Sequence, residues 1–122
     1  MVKPMFDTNV LIDYLCGDPR VRHLLDQSKQ PMISMVTYSE VMVGAAGNEE
    51  TLTLRRWMDL FEVVPVSPDI SNDAVELQER RGIAMSDAII LATARRKGAT
   101  LITRNTKSFP ETELNVRTPY SL

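Results

Sequence analysis

Val2-Lys3-Pro4-Met5-Phe6-Asp7-Thr8-Asn9-Val10-Leu11-Ile12-Asp13-Tyr14-Leu15 joins two kinds of patterning through one acid. Val2 to Phe6 reads as a short strand and Thr8 to Leu15 as a helix, with Asp7 at the junction. A strand that turns directly into a helix is the repeating unit of a mostly parallel sheet covered by helices. Working outward, the alternation continues. Asp18-Pro19 is a cap followed by a first-turn proline and opens a second helix with Val21, Leu24 and Leu25 inward. Met32 to Ser34 reads as a strand and Met35 to Ala46 as a helix ended near Gly47. Asn48 caps the next helix, with Glu49 and Glu50 at the positive end of its dipole, which runs to about Phe61. Glu62 to Val66 is a strand. Ser67-Pro68 opens a helix with Ile70, Ala74 and Leu77 on one stripe, closed by Gly82. Ser86 reads as the cap of the following helix, with Met85 and Ile90 as a hydrophobic staple. Arg95, Arg96 and Lys97 fill its last turn before Gly98. Thr100 to Thr103 and Leu114 to Thr118 complete five short strands among about six helices. This order predicts an α/β, doubly wound sandwich with a mostly parallel five-stranded sheet, as one domain over 1–122.

Composition narrows the function classes. The 122 residues are 43% hydrophobic and 25% charged, ordinary for a globular chain with a real core. The net charge of −2 means that any nucleic acid must be met by local basic patches or through a metal. One cysteine, Cys16, excludes an internal disulfide and fits a reducing cytosol. The apolar runs are too short for a membrane span and the first residues lack a signal-peptide core, so the expected location is the cytoplasm, with no membrane partner.

Three acids stand apart from the rest by position. Asp7 is the only charge between Met5 and Ile12, Glu40 the only one between Ser34 and Ala46, and Asp87 is followed by the uncharged run Ala88 to Ala94. An isolated carboxylate in apolar surroundings is costly unless paired or bound to metal, and a hard divalent cation would satisfy all three. Asp7 and Asn105 fall at or just beyond the carboxyl ends of their strands, where open α/β sheets bind ligands. Each acid also has a plainer explanation. Asp7 can cap the first helix, Asp87 can be a dipole-favoured first-turn acid, and Glu40 can pair with an Arg or Lys.

The run Phe6-Asp7-Thr8-Asn9-Val10-Leu11-Ile12-Asp13 resembles the opening of PIN-domain ribonucleases, especially the VapC-type toxins of bacterial toxin–antitoxin pairs. Ser39-Glu40-Val41 with Gly44 is similar to their second motif, and Ser86-Asp87-Ala88-Ile89-Ile90-Leu91-Ala92-Thr93-Ala94 to their third. Leu101-Ile102-Thr103-Arg104-Asn105-Thr106-Lys107-Ser108-Phe109 is similar to the fourth. The four motifs stand in family order over nearly the whole chain. The resemblance implies the PIN fold, Mg²⁺ or Mn²⁺ dependence and endonucleolytic cleavage of RNA. It also implies an acidic centre of Asp7, Glu40 and Asp87, a homodimer, and a cognate antitoxin that blocks the activity. Family members often carry Asp where Asn105 stands or a further Asp where Ser108 stands; this chain has neither. Asn105 can still offer a neutral oxygen to a metal or its water.

The expected roles follow. Asp7 and Asp87 hold the principal metal, and Glu40 and Asn105 complete the shell. Glu40 orients or deprotonates the attacking water, and Arg104 and Lys107, flanking Asn105, reach a substrate phosphate. His23 reads as surface, Cys16 and the methionines as core or interface filler, and Trp57 and Phe61 as core or dimer contact. Tyr14, Leu15 and Leu24 are candidates for the wall of an antitoxin groove, though core packing is the preferred reading of them. Two other readings compete. A phospho-acceptor receiver domain has similar length and sheet but wants adjacent acids after the first strand, where this chain has Asp7-Thr8-Asn9. A PIN-like scaffold that binds a partner or RNA without cutting is the other, and the incomplete fourth motif keeps it open.

Overall fold

All strand pairings in the computed structural model, which describes residues 3–44, 48–110 and 115–119, are parallel. In chain order the elements are β1 Pro4–Phe6, α1 Thr8–Leu15, α2 Pro19–Asp26, β2 Met32–Ser34, α3 Met35–Val43, α4 Asn48–Met58, β3 Glu62–Val64, α5 Pro68–Arg81, α6 Met85–Arg96, β4 Thr100–Ile102 and β5 Val116–Arg117. The five strands lie in the order β3-β2-β1-β4-β5. The chain therefore winds one way from the central β1 through β2 to β3, then returns to β1's other edge for β4. That reversal makes the carboxyl ends of β1 and β4 the topological switch point, where such sheets open a crevice. Phe6 pairs with Ile102 in register, so Asp7 and Thr103 leave the sheet side by side.

Strand alternation divides the core into two layers. Met5, Met32, Val64 and Leu101 face α5 and α6, packing with Ile70, Ala74, Leu77, Leu91 and Phe109. Phe6 and Ile33 face the other way, toward Val10, Leu11, Val21, Leu25, Val41, Leu54 and Met58. Period-two burial of both faces by helices is the three-layer α/β arrangement. α6 is buried along most of its length, with Ala88, Ile90, Leu91, Ala92, Thr93 and Ala94 all enclosed.

Local chemistry explains most boundaries, including several that differ from the expected ones; β4 ends at Ile102 rather than Thr103 and β5 at Arg117 rather than Thr118. β3 stops at Val64 rather than Val66 because Pro65 has no N–H to give a sheet ladder. α4 ends at Met58, three residues before Phe61, which turns back to donate to the Met58 carbonyl at 3.1 Å. α6 begins at Met85 with Ala84 as its N-cap and no side-chain cap, so Ser86 lies inside the first turn. Ala88 N–H closes that turn onto the Ala84 carbonyl at 2.9 Å, two residues earlier than a Ser86 cap requires. Gly82 ends α5 at φ 67°, the left-handed conformation in which a side chain would clash with backbone. The expected start of β1 at Val2, the expected end of α3 at Ala46 near Gly47, and the start of the last strand at Leu114 lie outside the described residues; Asn48, expected as a cap, is instead the first residue of α4.

Candidate active site

Asp7 is the fixed point of the site. It is 3% exposed, at the carboxyl end of β1, and it caps α1 with Oδ1 accepting from Thr8 N at 2.7 Å. Its backbone N–H donates to the Ile102 carbonyl at 2.9 Å, which continues the ladder one residue past the strands. Oδ2 accepts from the Thr103 hydroxyl at 2.6 Å and from Asn9 Nδ2 at 3.2 Å. Helix cap and site acid are thus one side chain. Burial pushes the Asp7 carboxyl above its ordinary value of 3.8, the hydrogen bonds from Thr103 and Thr8 pull against that, and the charges of Asp87 and Glu40 push it further up.

Glu40 arrives from the neighbouring strand. β2 ends at Ser34, which caps α3 by accepting from Val36 N at 3.1 Å. Six residues after Ser34, α3 presents Glu40, whose Oε1 accepts the Thr8 hydroxyl at 2.7 Å. That hydroxyl also lies 3.2 Å from the buried Thr37 Oγ1. Glu40 is exposed, so its isolation among apolar residues in sequence was not isolation in the core. Of the three acids the cost of deep burial falls on Asp7 alone. Asp87 is half-buried in the first turn of α6, where the helix dipole favours an acid. Among the described residues no Lys or Arg forms an ion pair with Asp7, Glu40 or Asp87.

The turn after β4 brings the fourth motif onto the first. Thr103 is fully buried, and its Oγ1 accepts from Asn105 N at 2.9 Å while lying 3.4 Å from Asn9 Nδ2. Asn9 Oδ1 accepts Arg104 N at 3.1 Å. Asn105 Oδ1 accepts Ser108 N at 3.2 Å, so this oxygen shapes the turn. The Arg104 guanidinium forks onto Asp13 of α1, Nε to Oδ2 at 2.5 Å and Nη2 to Oδ1 at 3.2 Å. Lys107 is exposed in the same turn, and buried Phe109 anchors its far end in the core.

The scan against family models matches the PIN domain over residues 5–114. The chain belongs to the PIN-domain family. Among curated protein sequences none matches. Of solved structures, the chain is similar to a toxin–antitoxin complex from Klebsiella pneumoniae, at 38% identity and a TM-score of 0.90, covering 98% of this chain and 100% of that one. It is similar to FitAcB from Neisseria gonorrhoeae at 25% identity and a TM-score of 0.78, covering 98% and 99%. DNA-bound VapBC from Salmonella typhimurium shares the fold at 20% identity and a TM-score of 0.83, covering 98% and 100%.

As a metal site, this PIN domain offers carboxylate oxygens and no nitrogen or sulfur ligand, the donor chemistry of a hard divalent cation. Burial is the largest cause that raises the Asp7 carboxyl, and the smaller repulsion of Asp87 and Glu40 that adds to it is what such a cation relieves. The side chains are not closed on one point: among the described residues no three His, Cys, Asp or Glu are gathered tightly enough to hold an ion, and Glu40 is turned to Thr8.

Beside Glu40 lies a mostly apolar groove of about 430 Å³, lined by Ile12, Leu15, Glu40, Val41, Gly44, Glu50, Thr53 and Leu54. Leu15 is a wall of it, whereas Leu24 packs on the core and Tyr14 stacks on Trp57 at 5.1 Å. Cys16 and His23 are both exposed; a place among core fillers does not suit Cys16, which follows the last turn of α1. Thr103, Asn9 and Asp13 stand inside the motifs quoted above, yet sequence reasoning assigned none of them a role of its own. A hydroxyl next to a strand end, facing an acid at the end of the neighbouring strand, is visible only once β1 and β4 are paired. Among the described residues no helix is long and apolar enough to cross a membrane.

Proposed function

We propose that this PIN domain is the toxin of a toxin–antitoxin pair, a divalent-metal-dependent endoribonuclease of VapC type. The observation that carries the reading is the buried Asp7 at the switch point, with Asp87 and Glu40 beside it and, among the described residues, no cationic side chain paired to any of them. Asp7 and Asp87 would hold Mg²⁺ or Mn²⁺, with Glu40 joining them and Asn105 assisting directly or through water. When bound, the cation supplies charge neutralisation at the scissile phosphate and a lowered pKa for attacking water. Thr103, Asn9 and the Thr8 N–H hold the Asp7 carboxylate in one orientation. Exposed Glu40 orients that water or takes its proton, and Lys107 reaches the RNA backbone. No covalent intermediate is required, because hydrolysis needs only water placed in line.

An antitoxin is the expected partner. The likeness to a chain in the Klebsiella pneumoniae toxin–antitoxin complex supports it, and so does the apolar groove next to Glu40, whose walls Ile12 and Leu15 are 45% and 42% exposed. An antitoxin Arg could pair with two of the carboxylates and displace the metal. Homodimerisation and a cytoplasmic location belong to the same proposal. The non-cutting scaffold is favoured by one observation, the use of Asn105 Oδ1 inside its own turn.

Incubating the purified protein with mixed RNA and Mg²⁺, then with EDTA, separates the two readings. Cleavage that needs the metal and disappears in Asp7→Asn supports the nuclease. Intact RNA with a folded, Mn²⁺-binding protein supports the scaffold. Growth arrest on expression, relieved by the neighbouring open reading frame, tests the toxin assignment.

A further inference from the structure

The Arg104–Asp13 ion pair differs from the other ion pairs described. Its side chains are 31% and 20% exposed, against 71% and 61% for the Arg80–Glu76 pair. Like Arg96–Asp73, which joins α5 to α6, it is a two-point fork between separate elements, here 91 residues apart, where a pair within one helix only reinforces that helix. The same Arg104 is tied by its backbone N–H to Asn9 Oδ1, and Asn9 Nδ2 bridges Asp7 and Thr103. Side chain and main chain of one residue therefore pin the turn after β4 to α1 at two points. Between those points and the buried acid stand only Asn9 and Thr103. Forked guanidinium–carboxylate pairs fix orientation as well as distance, which a lysine cannot do.

We infer that Arg104 and Asp13 are positioning residues. Their fork clamps the 103–109 turn onto α1, holds Asn9 and Thr103 on Asp7, and so sets the affinity of the acidic centre for a divalent cation. This rests on the metal reading above and gives Arg104 a role other than phosphate binding. Partners one step removed from a metal ligand commonly change metal affinity 10- to 100-fold, and this pair acts one step further out, so an effect of roughly tenfold is expected.

The two roles for Arg104 predict opposite results at Asp13. If Arg104 serves the substrate, Asp13→Asn releases it and lowers the KM for RNA. If the pair is a clamp, Asp13→Asn weakens the centre as Arg104→Gln does. Mn²⁺ titration of the full chain should show roughly tenfold weaker binding in Asp13→Asn, in Arg104→Gln and in Arg104→Lys. The Asp13→Asn/Arg104→Gln double variant should be no weaker than either single variant, because the clamp can be lost only once. Amide hydrogen exchange, read by NMR without metal, should speed up at Arg104 and Asn105 in each variant while circular dichroism stays native. Wild-type Mn²⁺ affinity in Asp13→Asn, a lowered KM there, or unchanged exchange at both amides would overturn the clamp. A wild-type protein that neither binds Mn²⁺ nor cuts RNA would instead overturn the nuclease reading, and amide exchange would still decide the clamp.

Discussion

The Thr103 hydroxyl donates to Asp7 Oδ2 at 2.6 Å across 96 residues of sequence, and the bond is buried at both ends. It is the principal side-chain force lowering an acid that burial and two neighbouring carboxylates raise.

A carboxyl with a raised folded pKa holds its proton more tightly in the folded state. Asp7 therefore withdraws stability as pH climbs from the ordinary value of 3.8 through its raised folded value. Asp18 and Asp73, lowered chiefly by hydrogen bonds from Arg20 and Arg96, act in the opposite sense. The difference between wild type and Asp7→Asn isolates the Asp7 contribution. In EDTA, calorimetric melting should show Asp7→Asn gaining on wild type as pH rises through that window. A difference independent of pH would mean that Asp7 is not strained by its surroundings.

Thr103→Val leaves a buried carboxylate short of a donor, and the Asn105 N–H and Asn9 amide short of an acceptor. Metal-free stability should fall by about 1–3 kcal/mol in urea unfolding. Thr103→Ser, which keeps the hydroxyl, should recover most of it. Equal losses in both variants would assign the effect to the methyl group and packing.

Glu40→Gln and Asp87→Asn should separate function from stability. Glu40 is exposed, so Glu40→Gln should change folding stability by no more than about 0.5 kcal/mol. RNA cleavage should nevertheless drop by about 100-fold or more if Glu40 handles the water proton. Asp87→Asn removes one repulsion from Asp7 and should stabilise the metal-free protein by up to about 1 kcal/mol, with cleavage lost. Cleavage at wild-type rate in either variant removes that residue from the centre.

Asn105→Asp keeps an acceptor for Ser108 N and adds a negative charge beside Thr103. Hard cations respond to ligand charge, so Mn²⁺ binding should tighten in calorimetric titration while the metal-free protein melts lower. Unchanged affinity would mean that the Asn105 side chain serves its turn and nothing else.

Local chemistry made much of this protein readable from the chain itself. Proline and serine at the start of α5, Gly82 at its end, and Met32–Ser34 as β2 follow from short-range preferences that the tertiary structure does not override. The α6 start was misplaced because Ser86 is a good cap, whereas the helix begins at Met85 behind Ala84, an N-cap that makes no side-chain bond. Glu40 was singled out for a buried isolation that it does not have, yet the structure sets it 2.7 Å from the Thr8 hydroxyl, beside Asp7. What no local pattern carries is long-range polar pairing. Arg104 with Asp13 and Thr103 with Asp7 depend on β4 returning to the edge of β1, a fact of topology rather than of composition.

That return also sets a timetable. As the chain is synthesised, Asp7 emerges among the first residues, and Glu40 with its threonine contacts soon after. Thr103 and the turn that follows it come in the last fifth of the chain. β1 can pair with β2 early, yet its other edge waits for β4. A nascent or clipped chain holding only the first three strands would carry two of the three acids without the hydroxyl that restrains Asp7. Because β4 and its turn are synthesised last, a chain stopped before them lacks the contacts that complete the acidic centre.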